Sequence, residues 1–373
     1  MNFYLSLLLK PVQIAKLKQE ARKEKRDYDA GKASEKSIRS RKLPQLRADA
    51  VDPGVRYLSD PYLAGYSLND FPRLQAFLDI HLKTRPALCH ERPELLTRWY
   101  KANGFETDKE GAPLVAELRQ AQAFRYLMEN RKPIIRKNDL IAGTTTTKEI
   151  GVVLYPDAHG TMMWGELATA PYRPLNPYDV DPETVRVLHG AVFPFWLKRN
   201  FREWVRDNKG YPTCQKLDER FAACFLWKTV ALSHTIIDYP KVLKLGTRGI
   251  KAEIDGELDR TPASEQQKRD TLAAMKVCLE GIEAYARNLS AEAGRLAGLE
   301  ADPVRRNELN KLCEICRRVP HEPCVSLDDA VNALWIIWIG VHMENTNAGF
   351  SLGRLDQWLQ PYFAADMDRL KDD

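Results

Sequence analysis

Apolar residues recur at helical spacing along most of the chain, with polar residues between them, and this period predicts a predominantly helical protein. Ser326 is a predicted helix cap, because Asp328 and Asp329 follow it in the first turn, where the helix dipole favours anions. Asp302 with Pro303 marks another predicted helix start. The predicted helices cover residues 18–28, 71–82, 93–102, 114–129, 182–207, 217–233, 241–254, 264–296, 302–318 and 326–344.

Strand patterns are few and short. Residues 139–145 (DLIAGTT) and 151–155 (GVVLY) are the predicted strands, joined by a threonine-rich turn. The fold class predicted from these elements is therefore helix-rich α/β. Strands this few cannot form a closed sheet by themselves, so we expect the chain to be part of a longer protein.

Composition is that of a globular protein, with 44% hydrophobic and 29% charged residues and a mean hydropathy of −0.44. The longest apolar runs, such as 333–341, are about half the length that a membrane span needs, which argues against membrane insertion. The opening MNFYLSLLLKPVQ ends its apolar run at Lys10 and Pro11, before the length of a signal peptide. Seven cysteines, an odd number scattered through helical segments, favour reduced thiols and a cytoplasmic location.

Charge divides the chain into two predicted regions. The net charge of +5 comes largely from residues 1–50, a basic N-terminal extension predicted to be partly helical or disordered. No aromatic residues alternate with its basic residues in a nucleic-acid-binding pattern, so we interpret it as a solvated surface. Residues 51–373 are predicted to form one domain.

Cys313 and Cys316 form a CxxC pair, a spacing found in redox and zinc sites. The pair stands alone and lies inside a predicted helix, which favours structural cysteines. The histidines show no spacing typical of metal ligands, and glycine-rich phosphate loops are absent. The sequence thus predicts no metal site and argues against a dinucleotide- or ATP-dependent enzyme.

At three places in the sequence, polar side chains come at the end of an apolar predicted strand or helix. Tyr155 ends the predicted strand 151–155 and His159 lies in the segment that follows it, where loops carry substrate-binding groups in barrel enzymes. His234 directly follows the predicted helix 217–233 and is either a buried structural histidine or a pocket residue. Asn347 lies in the amide-rich loop after the apolar helix 326–344, where amides either satisfy buried backbone groups or bind a carboxylate.

Five long segments follow one another along the chain, and they read ERPELLTRWY, RKNDLIAGTTTT, FPFWLKRNFREWVRD, HTIIDYPKVLKLGTRGI and ENTNAGFSLGRLDQWLQPYF. In order and spacing they resemble the N-terminal part of a glycyl radical enzyme of the pyruvate formate-lyase type, over residues 70–373. The resemblance implies a barrel of ten strands wrapped by helices, of which this chain would supply the N-terminal half. It also implies that the thiyl cysteine and the radical glycine lie beyond Asp373, so that no catalytic residue lies in this chain.

The resemblance further implies no cofactor bound directly by this chain. In the family, a glycyl radical is installed by an activating enzyme that uses S-adenosylmethionine and an iron-sulfur cluster. The expected partners are that activating enzyme, small accessory subunits and a second catalytic subunit in a homodimer, with no nucleic acid and no membrane.

The loop before Gly353 resembles that of benzylsuccinate and alkylsuccinate synthases, which add a hydrocarbon to fumarate. Members that act on diols or choline carry a loop like ESNGHSIS, whose His and Ser positions are Ala348 and Gly349 here, followed by Phe350 and Leu352. Apolar residues at these places suit a hydrocarbon such as toluene. Phe350 and Leu352 are therefore predicted to form its wall.

Other residues take their predicted roles from the same resemblance. Tyr155 is a candidate hydrogen-bond donor to a fumarate carboxylate. His234 matches a histidine of a GH-x-x-x-D motif, with Ser233 in place of the glycine, and Arg354 is predicted to pair with Asp356. The alternatives are an arylacetate decarboxylase, a formate acetyltransferase, or a non-catalytic scaffold derived from the fold.

Overall fold

The computed structural model describes residues 70–108, 110–174, 176–208, 235–346 and 349–372. The predicted extension 1–50, the predicted helix 217–233, and the site residues His234 and Asn347 lie outside the described residues. The chain divides into two compact units. In the described residues, the smaller unit comprises 70–88, 148–152, 165–174 and 176–182, and the larger unit comprises the rest.

The smaller unit contains helix α1, Pro72–Lys83, which begins with a proline at a position where its missing N–H costs nothing. A short sheet follows, in which strand β1, Ala87–Cys89, pairs with strand β2, Gly151–Val153. The amide of Ala87 donates to the Ile150 carbonyl (2.9 Å), and a bridge joins Ala87 to Asp179. The predicted strand at 151–155 is thus confirmed over its first three residues.

The larger unit is built from helices, as the apolar period predicts. In chain order they are α2 Glu91–Asn103, α3 Ala116–Asn130, α4 Pro156–His159, α5 Pro182–Val187, α6 Phe193–Trp196, α7 Phe201–Asn208, α8 Tyr239–Arg260, α9 Gln266–Leu299, α10 Pro303–Arg318, α11 Leu327–Glu344 and α12 Leu355–Asp372.

Helix α9 is the long central element, and it packs along α3 and α10. Gly281 permits the close approach of α3, because a Cβ there would lie 2.9 Å from the Cα of Arg125. Tyr285 and Leu289 of α9 are fully buried. The core of the larger unit is therefore a helix–helix interface rather than the face of a sheet.

The predicted caps form as expected. The Ser326 hydroxyl accepts a hydrogen bond from the Asp329 amide (3.1 Å), and the Asp302 carboxylate accepts one from the Val304 amide (3.1 Å). Each satisfies an N–H group that has no partner within its helix. The predicted helix starts at α10 and α11 are confirmed.

Two predicted elements differ from the structure. Residues 139–145 form no strand: the Ala142 amide donates to the Asn332 side chain, the Gly143 carbonyl accepts from the Trp335 indole, and the Thr144 carbonyl accepts from Arg131. Side chains of the surrounding helices thus take the hydrogen bonds that a neighbouring strand would have made.

The predicted helix 182–207 is also wrong as a continuous element. Its middle widens into a π-helical turn, Leu188–Val192, just before Pro194, which cannot donate to the preceding turn. A second break follows α6, where the Asn200 side chain donates to the Trp196 carbonyl (2.8 Å) and accepts from the Glu203 amide (2.9 Å). The Asn200 side chain therefore caps both the helix that ends there and α7.

One parallel strand pair lies near the candidate site. Strand β3, Thr235–Ile236, pairs with strand β4, Phe350–Ser351, so that Thr235 lies opposite Phe350. No helix among the described residues is long and apolar enough to cross a bilayer.

Candidate substrate-binding site

Helix α11 is strongly apolar and ends at Glu344, directly before the amide-rich loop. The last four carbonyls of a helix lack partners within it. Here the Val341 carbonyl accepts from the Asn345 amide (3.4 Å), and the His342 carbonyl accepts from the Tyr155 hydroxyl (2.8 Å). The Tyr155 side chain thus caps the helix from outside.

Arg92 satisfies the remaining two carbonyls. Its Nε donates to the Met343 carbonyl (2.8 Å) and its Nη2 donates to the Glu344 carbonyl (2.9 Å). The same guanidinium donates to the Leu154 carbonyl (3.3 Å) and to both carboxylate oxygens of Asp157 (2.7 and 2.9 Å). A guanidinium has five N–H donors, so every donor of Arg92 has an acceptor.

This cluster is buried and electrostatically balanced. Arg92 is 3% exposed. Burial alone would lower its pKa, but the Asp157 carboxylate outweighs that effect and raises it, so Arg92 stays charged. Its guanidinium lies 4.4 Å above the centre of the Tyr155 ring, and burial raises the pKa of Tyr155 to about 12. Tyr155 is therefore protonated and a donor at neutral pH.

Three aromatic rings lie at the junction of α11 and β4. The Phe350 ring centre is 4.8 Å from His342 and 5.5 Å from Trp338, and His342 lies 5.2 Å from Trp338, with the rings edge to face. Burial lowers the pKa of His342, which keeps its imidazole neutral at pH 7. We name Trp338, His342 and Phe350 the aromatic wall.

The structure gives several of the predicted site residues a definite place. Tyr155 precedes helix α4 and His159 ends it, and their ring centres are 6.2 Å apart. Phe350 and Leu352 are half-buried, with Phe350 in the aromatic wall. Because Tyr155 has a single hydroxyl proton, which is donated to His342, its predicted bond to a fumarate carboxylate would require that proton to change partner.

Two polar predictions near the loop have clear counterparts. The Asn345 side chain accepts a hydrogen bond from the Thr346 amide (2.7 Å), which is the backbone-satisfying alternative for an amide in this loop. Arg354 donates to both carboxylate oxygens of Asp356 (2.9 and 2.6 Å), so the predicted pair forms, on the surface. The hydrogen bonds described here for Asn345, Arg354 and Asp356 are therefore all made to other groups of this chain.

The cysteine pair lies inside α10, as predicted. Burial raises the pKa of Cys316 and of Cys324 to about 12, so both are protonated thiols at neutral pH and poor nucleophiles. Cys313 is a free thiol near the Ser290 hydroxyl (3.5 Å). In the part of the chain that the structure describes, no three His, Cys, Asp or Glu side chains are grouped to hold a metal.

Sequence reasoning missed Arg92, Asp157 and the two helix members of the aromatic wall. A signal for Arg92 exists: it falls at helical spacing with Leu95, Leu96 and Tyr100, all buried, so a charged residue stands on the apolar face of α2. A charge in that position needs a buried partner. That partner, Asp157, is distant in sequence, so the spacing could not identify it.

Comparison with known proteins places the chain in a family. Residues 69–373 match the pyruvate formate lyase-like family model. The isethionate sulfite-lyase of Nitratidesulfovibrio vulgaris is 30% identical over 307 residues, which are 79% of this chain and 36% of that protein. The trans-4-hydroxy-L-proline dehydratase of Clostridioides difficile is 24% identical, over 80% of this chain and 37% of that protein.

Solved structures agree with this placement. A glycyl radical enzyme from Archaeoglobus fulgidus matches with a TM-score of 0.72 and 27% identity, covering 80% of this chain and 38% of that one. The chain thus spans little more than a third of the length of the relatives it matches. Those curated relatives are by name a lyase and a dehydratase, so addition to fumarate stays a prediction. The chain belongs to the pyruvate formate lyase-like family of glycyl radical enzymes.

Proposed function

We propose that this chain forms part of the substrate-binding region of a glycyl radical enzyme that adds a hydrocarbon to fumarate. The observation that carries the proposal is the aromatic wall of Trp338, His342 and Phe350. In the sequence just before Phe350, Ala348 and Gly349 stand at the predicted His and Ser positions of members that act on diols or choline. Toluene and other apolar substrates of similar size are the class that such a wall would accept.

The chemistry of the wall supports an apolar substrate. A neutral His342 places no charge against the rings, and Phe350 offers only carbon atoms. A polyol bound there would lose hydrogen bonds to water without gaining partners from Ala348, Gly349 or Phe350. A hydrocarbon loses nothing of this kind and gains about 25 cal/mol for each Å² buried.

In this proposal the residues of this chain bind the hydrocarbon and fumarate and orient them for reaction. In the family, the radical chemistry comes from the glycyl radical, which an activating enzyme installs, together with the thiyl cysteine, and both residues are predicted to lie beyond Asp373. The aromatic wall would hold the hydrocarbon, while Asn347 remains a predicted carboxylate-binding amide and His159 a predicted pocket residue. Fixing two reactants in one dry pocket supplies the proximity that a radical addition needs and excludes water.

A second candidate is elimination of a polar leaving group. It is favoured by the 30% identity to isethionate sulfite-lyase, a protein named for releasing sulfite. In that case the polar groups around the substrate would come from outside the aromatic wall.

The deciding assay uses the activated holoenzyme that contains this chain, kept free of oxygen. It is given toluene or an n-alkane with fumarate, and separately isethionate or 1,2-propanediol, and the products are identified by mass spectrometry. A substituted succinate supports the proposal. Release of sulfite or of an aldehyde, with no succinate from any hydrocarbon, overturns it in favour of elimination.

A pair of variants tests the wall itself. Phe350→Ala should raise the KM for the hydrocarbon about 10- to 100-fold, since a buried phenyl group contributes roughly 1.5–3 kcal/mol. Phe363→Ala is the matched control, because Phe363 lies in α12 and is 46% exposed. Equal KM values for both variants would contradict the role of Phe350.

A further inference from the structure

Arg92 has no donor left for a ligand. Its five N–H groups are all directed to protein acceptors, of which two are carbonyls at the end of α11 and three belong to the segment around α4. Its charge is matched by Asp157, and it is 3% exposed. A charged residue arranged in this way holds chain segments together instead of binding substrate.

Arg92 and Tyr155 together join the two segments that carry the predicted site residues. Tyr155 and His159 flank α4, and Phe350 follows the end of α11 after a short loop. Helix ends fray when their carbonyls have no partner. By capping the carbonyls of His342, Met343 and Glu344, the two side chains fix where α11 ends and where the chain leaves for β4.

From this geometry we infer that Arg92 and Tyr155 are positioning residues, which set the aromatic wall relative to α4 for substrate binding. The activity part of this inference rests on the proposed function. A cation at the C-terminal end of a helix is also favoured by the helix dipole, so Arg92 suits this place electrostatically. Lysine could not replace it, because an ammonium group cannot form the two-pronged pair with Asp157 and also reach both carbonyls.

The first experiment uses Tyr155→Phe, which removes one hydrogen bond and leaves the Arg92–Asp157 pair intact. Hydrogen–deuterium exchange is measured on this chain for the peptide that spans 345–354. Exchange there should become about 2- to 10-fold faster, as expected for the loss of one net hydrogen bond, while α9 is unchanged. Arg92→Lys should give a larger effect in the same peptide.

Tyr239→Phe is the matched control. Tyr239 is also a buried tyrosine, but its hydroxyl has no hydrogen-bond partner among the described residues. Its exchange pattern over 345–354 should equal that of the unaltered chain. If Tyr155→Phe and Tyr239→Phe behave alike, the positioning role is refuted, whatever the substrate. Should Arg92→Lys fail to fold, the Tyr155→Phe comparison still decides.

The second experiment separates positioning from stability alone. In the activated holoenzyme, Tyr155→Phe should raise the KM for the substrate about 2- to 10-fold, while kcat and the glycyl radical signal in electron paramagnetic resonance stay the same. A purely structural role would lower the amount of active enzyme and leave KM unchanged, which would overturn the inference. Faster exchange with no succinate formed would refute fumarate addition and leave the positioning role standing.

Discussion

Asp157→Asn is expected to destabilise the protein by about 3 kcal/mol. The substitution keeps the size of the side chain but leaves the charge of Arg92 unmatched at 3% exposure. Breaking a buried ion pair from one side costs roughly 3–5 kcal/mol, and an exposed pair contributes about 0–1 kcal/mol. The Asp157 side chain is 25% exposed, so the lower end of the buried range applies.

Arg92→Met is expected to cost about 4 kcal/mol, because it removes the pair and also the donors to three backbone carbonyls. In the double variant no buried charge remains unmatched, and the amide introduced at position 157 can be hydrated at the edge of the site. The double variant should therefore also cost about 4 kcal/mol, well below the roughly 7 kcal/mol that additive effects would give.

The assay is urea unfolding of each variant, followed by tryptophan fluorescence and by circular dichroism. Arg98→Met and Glu94→Gln form the control cycle, since this pair lies on the same helix with 58% and 32% of the side chains exposed. Each control should change the free energy of unfolding by less than about 1 kcal/mol. Additivity within about 0.5 kcal/mol for Arg92 and Asp157 would refute the coupling.

Three further predictions concern single side chains. Burial lowers the pKa of His342 below its ordinary 6.5, so as the pH falls the imidazole is protonated in the unfolded chain before it is protonated in the folded one. The contribution of His342 to the free energy of unfolding should therefore be complete above pH 6.5 and decrease as the pH drops below it. In unfolding measured from pH 7.5 to 5, His342→Phe should make this decrease smaller. Tyr239→Phe should raise the free energy of unfolding by about 1 kcal/mol, since it removes a buried hydroxyl with no partner among the described residues; a loss of stability would show that the hydroxyl is bonded. Gly246→Ala should destabilise by more than about 3 kcal/mol, because its φ is +63° and a Cβ would lie 2.2 Å from the His321 carbonyl oxygen, whereas Gly256→Ala in the same helix meets nothing within 4 Å and should stabilise slightly.

Much of the helical framework follows from the sequence because its signals are local. The apolar period and the caps at Asp302 and Ser326 act within a few residues, so the starts of α10 and α11 could be predicted without knowing the fold. The cysteines of α10 were interpreted as structural in the same way, and burial raises the pKa of Cys316 to about 12. The family resemblance also rested on contiguous segments, and it is confirmed over 69–373.

Tertiary structure decided the elements whose hydrogen bonds come from distant residues. Residues 139–145 have the composition of a strand, yet the Asn332 and Trp335 side chains, both on α11, supply its partners. Tyr155 was predicted from the family resemblance to donate to a substrate carboxylate, and its proton instead goes to the His342 carbonyl. A protein acceptor and a substrate acceptor compete for the same donor, and only the packing of the fold determines which of them receives the hydrogen bond.

Arg92 shows most clearly what local sequence cannot predict. The sequence determines that a charged residue falls on the apolar face of α2, and physical chemistry requires that a buried charge be paired. Its partners lie 62 to 252 residues away along the chain, in and just before α4 and at the end of α11. Local sequence thus determined the need for a partner, and the packing of helices far apart in sequence decided which carboxylate and which carbonyls meet it.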